Sequence, residues 1–395
     1  MINSNNQLLS TGKNNLPIIK NWRNKNNGDS WSATQEYPLY TDAGLHSEQV
    51  NDSWPYAFLN ALAVDAAPGK IQAGLIFRCA IHGDPFNSVN LQGTEESAYH
   101  GGLLYDEASA LSSLILGIRV RAGECTRIFG SYVQDPFGRP RATSSSPPTL
   151  SRRNRNLIAP SLFKMDSLLS DLSMLDLLLD LNALQSVSLL RAARLYQDSL
   201  WIIESEPELA WLMLVSALEV AALSWDQKEQ DPVDVLKSAK FDFYQLLKAK
   251  GDDIVNLVAQ EISSNFRVTS KFVNFCLHFL PNAPETRPQL MHQIDWTRKN
   301  WKNILNKVYS YRSRALHGGH PFPRPMCEPP DIYVIGKNLA PCEKGTASIS
   351  IRTHGSSWNA SDLPVSLNTF VQLTRDILLS WWRHIADENS KRNAL

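Results

Sequence analysis

The chain has 395 residues, 43% apolar and 20% charged, with 19 Gly and 22 Pro, which excludes a collagen, a coiled coil and a wholly disordered chain and leaves room for two or three domains. Thirty-nine Lys and Arg balance 39 Asp and Glu, so any nucleic-acid role has to rest on local basic patches rather than on a global field. Five scattered cysteines (Cys79, Cys125, Cys276, Cys327, Cys342) form no C-x-x-C pair and suit reduced thiols better than a disulfide framework.

Residues 1–30 hold nine asparagines and few apolar side chains, a composition that predicts a flexible arm because little burial offsets the entropy of ordering. That start also lacks the apolar stretch of roughly 7–15 residues of a secretory signal. From 31 to 138 the pattern reads as a small α+β domain of unknown role. Ile71, Ala73, Leu75, Phe77, Cys79 and Ile81 alternate with other residues at the period of a strand with one buried face. A helix is expected over 106–116, and 114–120 and 126–133 read as further strands or a helix end. The turn Asp135-Pro136-Phe137-Gly138-Arg139-Pro140-Arg141 leads into Ser144-Ser145-Ser146-Pro147-Pro148, and 139–157 reads as a basic Ser/Pro-rich linker. Its arginines (Arg139, Arg141, Arg152, Arg153, Arg155) have no acid between them, which fits either a solvated linker or a phosphate-contacting segment.

From 158 to 395 the pattern becomes helical. The segments 162–184, 186–205, 208–225, 232–249, 252–264, 268–279, 295–316 and 364–386 carry apolar residues at three-to-four spacing. Only 332–335 and 347–352 suggest strands, as one hairpin. The greasy run 209–225 falls short of the roughly 20 residues of a membrane span and contains Glu219, so a buried helix is expected. The fold class is therefore mainly α, a C-terminal helical bundle behind a smaller α+β domain, in a cytoplasmic protein with no membrane role.

The segment Tyr311-Arg312-Ser313-Arg314-Ala315-Leu316-His317-Gly318-Gly319 ends the 295–316 helix and contains an Arg-x4-His spacing. The same spacing recurs at Arg287 and His292, but Pro288 follows that arginine between helices and leaves it without a helical frame. At about 100° per residue, Asn306, Ser310, Ser313 and His317 share one polar stripe, while Trp301, Leu305, Val308 and Arg312 share a neighbouring stripe that is otherwise apolar. An arginine on a core-facing stripe needs a partner or a cleft. Glu219, alone among apolar neighbours on its own helix, has the matching need, and a charge-assisted hydrogen bond between the two is expected. Chemically, His317 can move protons near neutral pH, Arg312 can hold a phosphate and Ser313 can position either group. Lys299, Lys302, Lys307 and Arg314 on the same helix, with no acid after Asp295, form a local basic patch suited to RNA. The plainer alternative is that Arg and His here only favour the helix dipole and Gly318 closes the helix as its C-cap.

This segment resembles the signature of HEPN domains, in particular the Apea-like branch. Ser216-Ala217-Leu218-Glu219-Val220-Ala221-Ala222 is similar to that branch's Ala-Leu-Glu segment, and Arg194-Leu195-Tyr196-Gln197-Asp198-Ser199-Leu200 fits the helix before it, so the resemblance covers roughly 160–390. It implies a helical domain that dimerises with two Arg-x4-His motifs facing each other. It also implies metal-independent cleavage of RNA, in toxin, phage-defence or RNA-processing systems, with an antitoxin or defence protein as a further partner. Arg312 and His317 would be catalytic, and Ser313 takes the polar position that many relatives fill with Asn, Asp or His. Serine brings neither carboxylate nor amide, and inactive members of the family exist, so a non-catalytic dimerisation or RNA-binding module is the alternative.

Other constellations point elsewhere. His317, His320, Cys327 and Cys342 lack standard zinc-finger spacing, and neither metal nor cofactor is expected. Cys79, His82 and Asp84 lie close in sequence, but Cys79 falls on the apolar face of its strand, as a packed thiol would. Trp381 and Trp382, followed by Arg383 and His384, read as core and rim rather than as a base-stacking platform.

Overall fold

The computed structural model describes residues 16–60, 70–85, 94, 96–130, 147–162, 167–225, 231–336, 338–345 and 356–393. The arm expected over 1–30 is corrected from residue 17 onward, where Pro17–Asn26 forms helix α1; residues 1–15 lie outside the described residues. Pro17 starts the helix where its missing N–H costs nothing, and Ile18, Ile19 and Trp22 bury one face. Two of the asparagines expected to lie in that arm, Asn21 and Asn24, are structural. The Asn21 amide donates to the Ala80 carbonyl (2.9 Å) and accepts from the His82 N–H (2.8 Å), and Asn24 donates to the His82 carbonyl (2.8 Å).

Strands β1 (Trp31–Thr41), β2 (Leu45–His46), β3 (Gln49–Val50), β4 (Tyr56–Asn60) and β5 (Gln72–His82) precede helix α2 (Leu104–Leu116), and β6 (Arg121–Ala122) and β7 (Arg127–Gly130) follow it. The sheet runs β3-β4-β5-β1-β6, with β7 on β1 as well, and all its pairs are antiparallel. The alternation read over 71–81 is β5: Leu75, Phe77, Cys79 and Ile81 are buried, and Asn21 of α1 reaches the Cys79 thiol. The expected turn at 135–141 lies outside the described residues.

Beyond β8 (Ser167–Leu168), which pairs in parallel with β2, the elements among the described residues are helical except for one hairpin. The helix expected over 162–184 is instead a 3₁₀ segment, Leu169–Asp180, followed by α3 (Ala183–Ile202). The buried leucines Leu169, Leu172, Leu175 and Leu178 explain it: a strict spacing of three aligns on one face of a 3₁₀ helix but drifts on an α-helix. An Asn182–Gln185 capping box then starts α3. Helix α4 (Pro207–Ser224) follows, then α5 (Pro232–Ala239) and α6 (Phe241–Lys248), which split the segment expected over 232–249 at Lys240. The two helices expected over 252–264 and 268–279 are one, α7 (Asp252–His278), since no Gly or Pro interrupts them. Helix α8 (Arg298–Gly318) carries the motif. Hairpin strands β9 (Ile332–Ile335) and β10 (Asn338–Pro341) pair around Gly336 (φ +62°), so the described partner of 332–335 is 338–341; the strand expected at 347–352 lies outside the described residues. Helix α9 (Leu367–Asn393) closes the chain and buries both Trp381 and Trp382, as their core reading requires.

The sheet and the helices share one continuous apolar core. A buried ionic knot spans them: Arg119 Nη1 lies 2.7 Å from Asp42 Oδ2 and Nη2 3.3 Å from Glu204 Oε1, while Nε donates to the Leu200 carbonyl at 2.8 Å. Within the 139–157 stretch, Arg153 Nη1 reaches both carboxylate oxygens of Glu208 on α4 at 3.0 Å; Arg139 and Arg141 lie outside the described residues. Helix α4 is the one described helix with the length and apolarity of a membrane span, and half of it is buried inside the protein.

Candidate active site

Helix α8 begins at the Thr297 N-cap and ends at Gly319, whose φ of +64° is favourable for glycine, so the cap is Gly319 and not Gly318, which is still helical; the N–H groups of Gly319 and His320 both donate to the Arg314 carbonyl. Trp301, Leu305 and Val308 are fully buried, which fixes the rotation of the helix and brings Arg312, next on that stripe, against α4. There Arg312 Nη2 donates to Glu219 Oε2 at 2.6 Å, the pairing expected from the sequence.

Tyr309 completes the arrangement. Its hydroxyl donates to Glu219 Oε1 at 2.8 Å and its ring lies 5.7 Å from the Arg312 guanidinium carbon, so both carboxylate oxygens are occupied. Burial first, and the bond to Glu219 second, push the Tyr309 phenol up to about 12, so it stays a donor at neutral pH. Sequence reasoning missed this residue, although its place three positions before Arg312 puts it on the same helix face. The Arg312 Nε is buried and has no hydrogen-bond partner among the described residues.

His317 is exposed on the last turn, with the half-buried Ser313 one turn before it on the same side. Arg314 stacks over the Tyr311 ring at 5.6 Å and is exposed. The other basic residues are not gathered here. Lys299 and Lys302 are exposed at the opposite end of α8, about 22–27 Å along the helix from His317. Lys307 is tied to Asp362 Oδ1 (2.9 Å) and the Ser361 carbonyl (2.8 Å), which leaves it little free charge for a phosphate.

The second Arg-x4-His spacing is structurally committed. Arg287 grips Glu343 through two bonds (Nε–Oε1 2.7 Å, Nη2–Oε2 2.8 Å), and His292 Nε2 lies 2.8 Å from the Tyr333 hydroxyl. Among the described residues no cluster of three or more His, Cys, Asp or Glu side chains is arranged to hold a metal, and Cys327 and Cys342 are buried while His317 and His320 are exposed. Cys79 is fully buried, and burial raises its thiol far above the ordinary range, as in a packed rather than a reactive cysteine.

Helix α4 presents a second feature beside this site. Leu209, Leu212, Ser216, Glu219 and Leu223 follow one another at spacings of three and four, and none is buried; Leu209 is 45% and Leu223 58% exposed. Leu316 on α8 is 50% exposed. This is the pattern of a helix–helix seam, open to solvent in the single chain at Leu209 and Leu223.

Glu219→Ala is expected to lower stability by about 2 kcal/mol, less than the roughly 3–5 kcal/mol for breaking a fully buried pair, because the Arg312 side chain keeps 20% of its surface open to water. Urea unfolding of the variant measures this, and a loss below about 0.5 kcal/mol, the scale of an exposed pair, would disprove it.

Comparison of the chain with family models, with curated proteins and with solved structures gives no match.

Proposed function

We propose that the chain is a metal-independent endoribonuclease of the HEPN type, acting in the cytoplasm at a site completed by a second copy of the Arg-x4-His helix, within a toxin or phage-defence system. The observation that carries this reading is Arg312. Its guanidinium is held from one side by Glu219 while the side chain keeps 20% of its surface open, its buried Nε–H has no partner among the described residues, and an exposed histidine follows within two turns on the same helix. Such a guanidinium is aimed, and its partly exposed Nη groups have donors left for an oxyanion.

In the proposed reaction the ribose 2′-hydroxyl attacks the adjacent phosphorus and the bond to the 5′-oxygen breaks, leaving a 2′,3′-cyclic phosphate and a 5′-hydroxyl. His317 of one copy takes the 2′ proton and the partner's His317 gives a proton to the departing oxygen, since one imidazole cannot do both at once. Arg312 stabilises charge on the non-bridging oxygens, Ser313 orients His317 or the phosphate, and Arg314 is the nearest basic residue for the strand. Glu219 acts as a positioning residue through Arg312. Glu219→Gln should therefore reduce cleavage more than it reduces stability.

The open seam of α4 supports the dimer, because a second copy of this chain would cover Leu209 and Leu223 beside the Glu219–Arg312 pair. Leu223→Arg should convert the dimer to a monomer by light scattering and abolish cleavage, with the melting temperature of the single chain little changed. A variant that stays dimeric and active would remove this interface.

A second reading, a non-catalytic module that dimerises or binds RNA, is favoured by Ser313, which lacks the carboxylate or amide of many similar motifs, and by Lys307, which is engaged by Asp362. Purified protein incubated with RNA in EDTA distinguishes the two. Cleavage that vanishes in His317→Ala supports the enzyme, and intact RNA with tight binding supports the module.

A further inference from the structure

A cavity of about 260 Å³ lies at the seam between the sheet part and the helices. It is lined by Gly117 at the end of α2, Ser161 and Leu162, Tyr196 of α3, the loop after α7, Trp296 and the first turns of α9. Trp296 stands just before α8, so the 21 residues of that helix, about 30 Å, separate the cavity from His317. It belongs to neither the motif nor the dimer seam.

Charge, shape and hydrogen bonding together narrow what it can hold. Arg375 and Asp376 both line it but are paired with each other (Nη1–Oδ1 3.2 Å), and the remaining Arg375 contacts go to backbone: Nε donates to the Leu114 carbonyl at 3.0 Å and Nη2 to the Ile115 carbonyl. The guanidinium thus offsets the negative end of the α2 dipole, and Gly117 is required beneath it, because a Cβ there would sit 2.7 Å from Nε. Among the described residues the lining carries one cation, Arg375, and the Arg287 guanidinium, 5.4 Å from the centre of the Trp296 ring, is itself paired with Glu343, so neither is left for a phosphate or a carboxylate. The walls are partly flat: the Trp296 indole is fixed by its N–H bond to the Pro281 carbonyl (2.8 Å), and Pro281 and Pro284 line the cavity beside it. Hydrogen-bonding capacity remains, since the Ser161 Oγ is buried with no partner, and the amides of Asn282 and Gln372 are on exposed residues of the lining. Side-chain amides are the groups that pair two-pronged with base edges. The volume lies just under the roughly 300–1,000 Å³ of sites for drug-sized ligands, which suits a base or nucleoside and not a nucleoside triphosphate.

We propose that this cavity binds an uncharged nucleobase or nucleoside, stacked against Trp296 and hydrogen-bonded by Ser161, Asn282 and Gln372. The ligand bridges the end of α2, the α7–α8 connection and α9, and so ties the sheet part to the helix that carries the motif. The site requires nothing of the RNA-cleavage reading and is tested apart from it.

Titration calorimetry of the whole chain with adenosine, guanosine, cytidine and uridine is the test. At least one should bind with a Kd of roughly 10–100 µM, as expected for a well-fitted ligand of that size. Gln372→Ala, a change at an exposed position, and Ser161→Leu, which fills the cavity, should each weaken binding at least about tenfold with unchanged circular dichroism. If Ser161→Leu fails to fold, Gln372→Ala still decides. The proposal is overturned if none of the four nucleosides binds up to about 1 mM, if Gln372→Ala binds as the wild type does, or if the 5′-monophosphate binds more tightly than its nucleoside, since that would signal recognition of charge.

Discussion

On the proposed ribonuclease reading, His317→Ala should lower RNA cleavage by roughly 10²–10⁴-fold, the usual contribution of a positioned proton-transfer group, and Arg312→Ala by about 10²–10³-fold, as for a group that stabilises developing oxyanion charge. His317 is exposed at a helix end closed by Gly319, so its removal should leave helical content and dimer unchanged. Arg312→Ala additionally frees Glu219, but Tyr309 still donates to that carboxylate and limits the structural damage. The products should carry 2′,3′-cyclic phosphate ends and form in EDTA. The second Arg-x4-His spacing is an internal control. Arg287→Ala breaks a two-pronged bond to Glu343 and should cost stability without touching the chemistry of the remaining folded protein. Near wild-type cleavage by His317→Ala, or 3′-hydroxyl products that require Mg²⁺, would sink the assignment.

Glu204→Ala should destabilise the fold by roughly 3–5 kcal/mol, the range for removing one partner of a fully buried ion pair. Arg119 keeps only 2% of its side-chain surface and Glu204 1%, so water cannot take the place of the lost carboxylate. The same carboxylate also accepts the N–H groups of Ile158 (2.8 Å) and Ala159 (3.2 Å), which would be left buried and unpaired. Asp42 would keep Arg119 partly satisfied, so the loss should stay within that range rather than exceed it. Urea denaturation followed by both tryptophan fluorescence and circular dichroism measures this. Because Arg119 follows the helix packed on the sheet, while Glu204 follows α3, both probes should shift together. A change of less than about 1 kcal/mol, the scale of a solvated pair, would mean that this knot does not join the two parts.

Much of the helical region was legible because its apolar spacing has few alternatives: α4 and α8 fall close to their expected bounds, as does β5 with its period of two, while α9 runs seven residues past its expected end at 386, where 387–393 carry no apolar side chain to mark it. The Glu219–Arg312 bond was also legible, since two charged residues on otherwise apolar stripes need each other wherever the stripes meet. What composition misjudged was α1. Asparagine density resembles disorder only until Asn21 and Asn24 find carbonyls on β5, nearly sixty residues away, and no local window contains that strand edge. The 3₁₀ segment at Leu169–Asp180 lay hidden in a leucine-rich run, where a period of three and a period of 3.6 differ by less than a residue per turn. The sequence by itself determined the helix that carries Arg312, Ser313 and His317, because three buried residues, Trp301, Leu305 and Val308, set its rotation. Only the tertiary structure decided which charges remain available there. Lys307 is taken by Asp362, the Arg287–His292 copy is taken by Glu343 and Tyr333, and Tyr309 caps the carboxylate, all through contacts between segments that the chain brings together only when it packs.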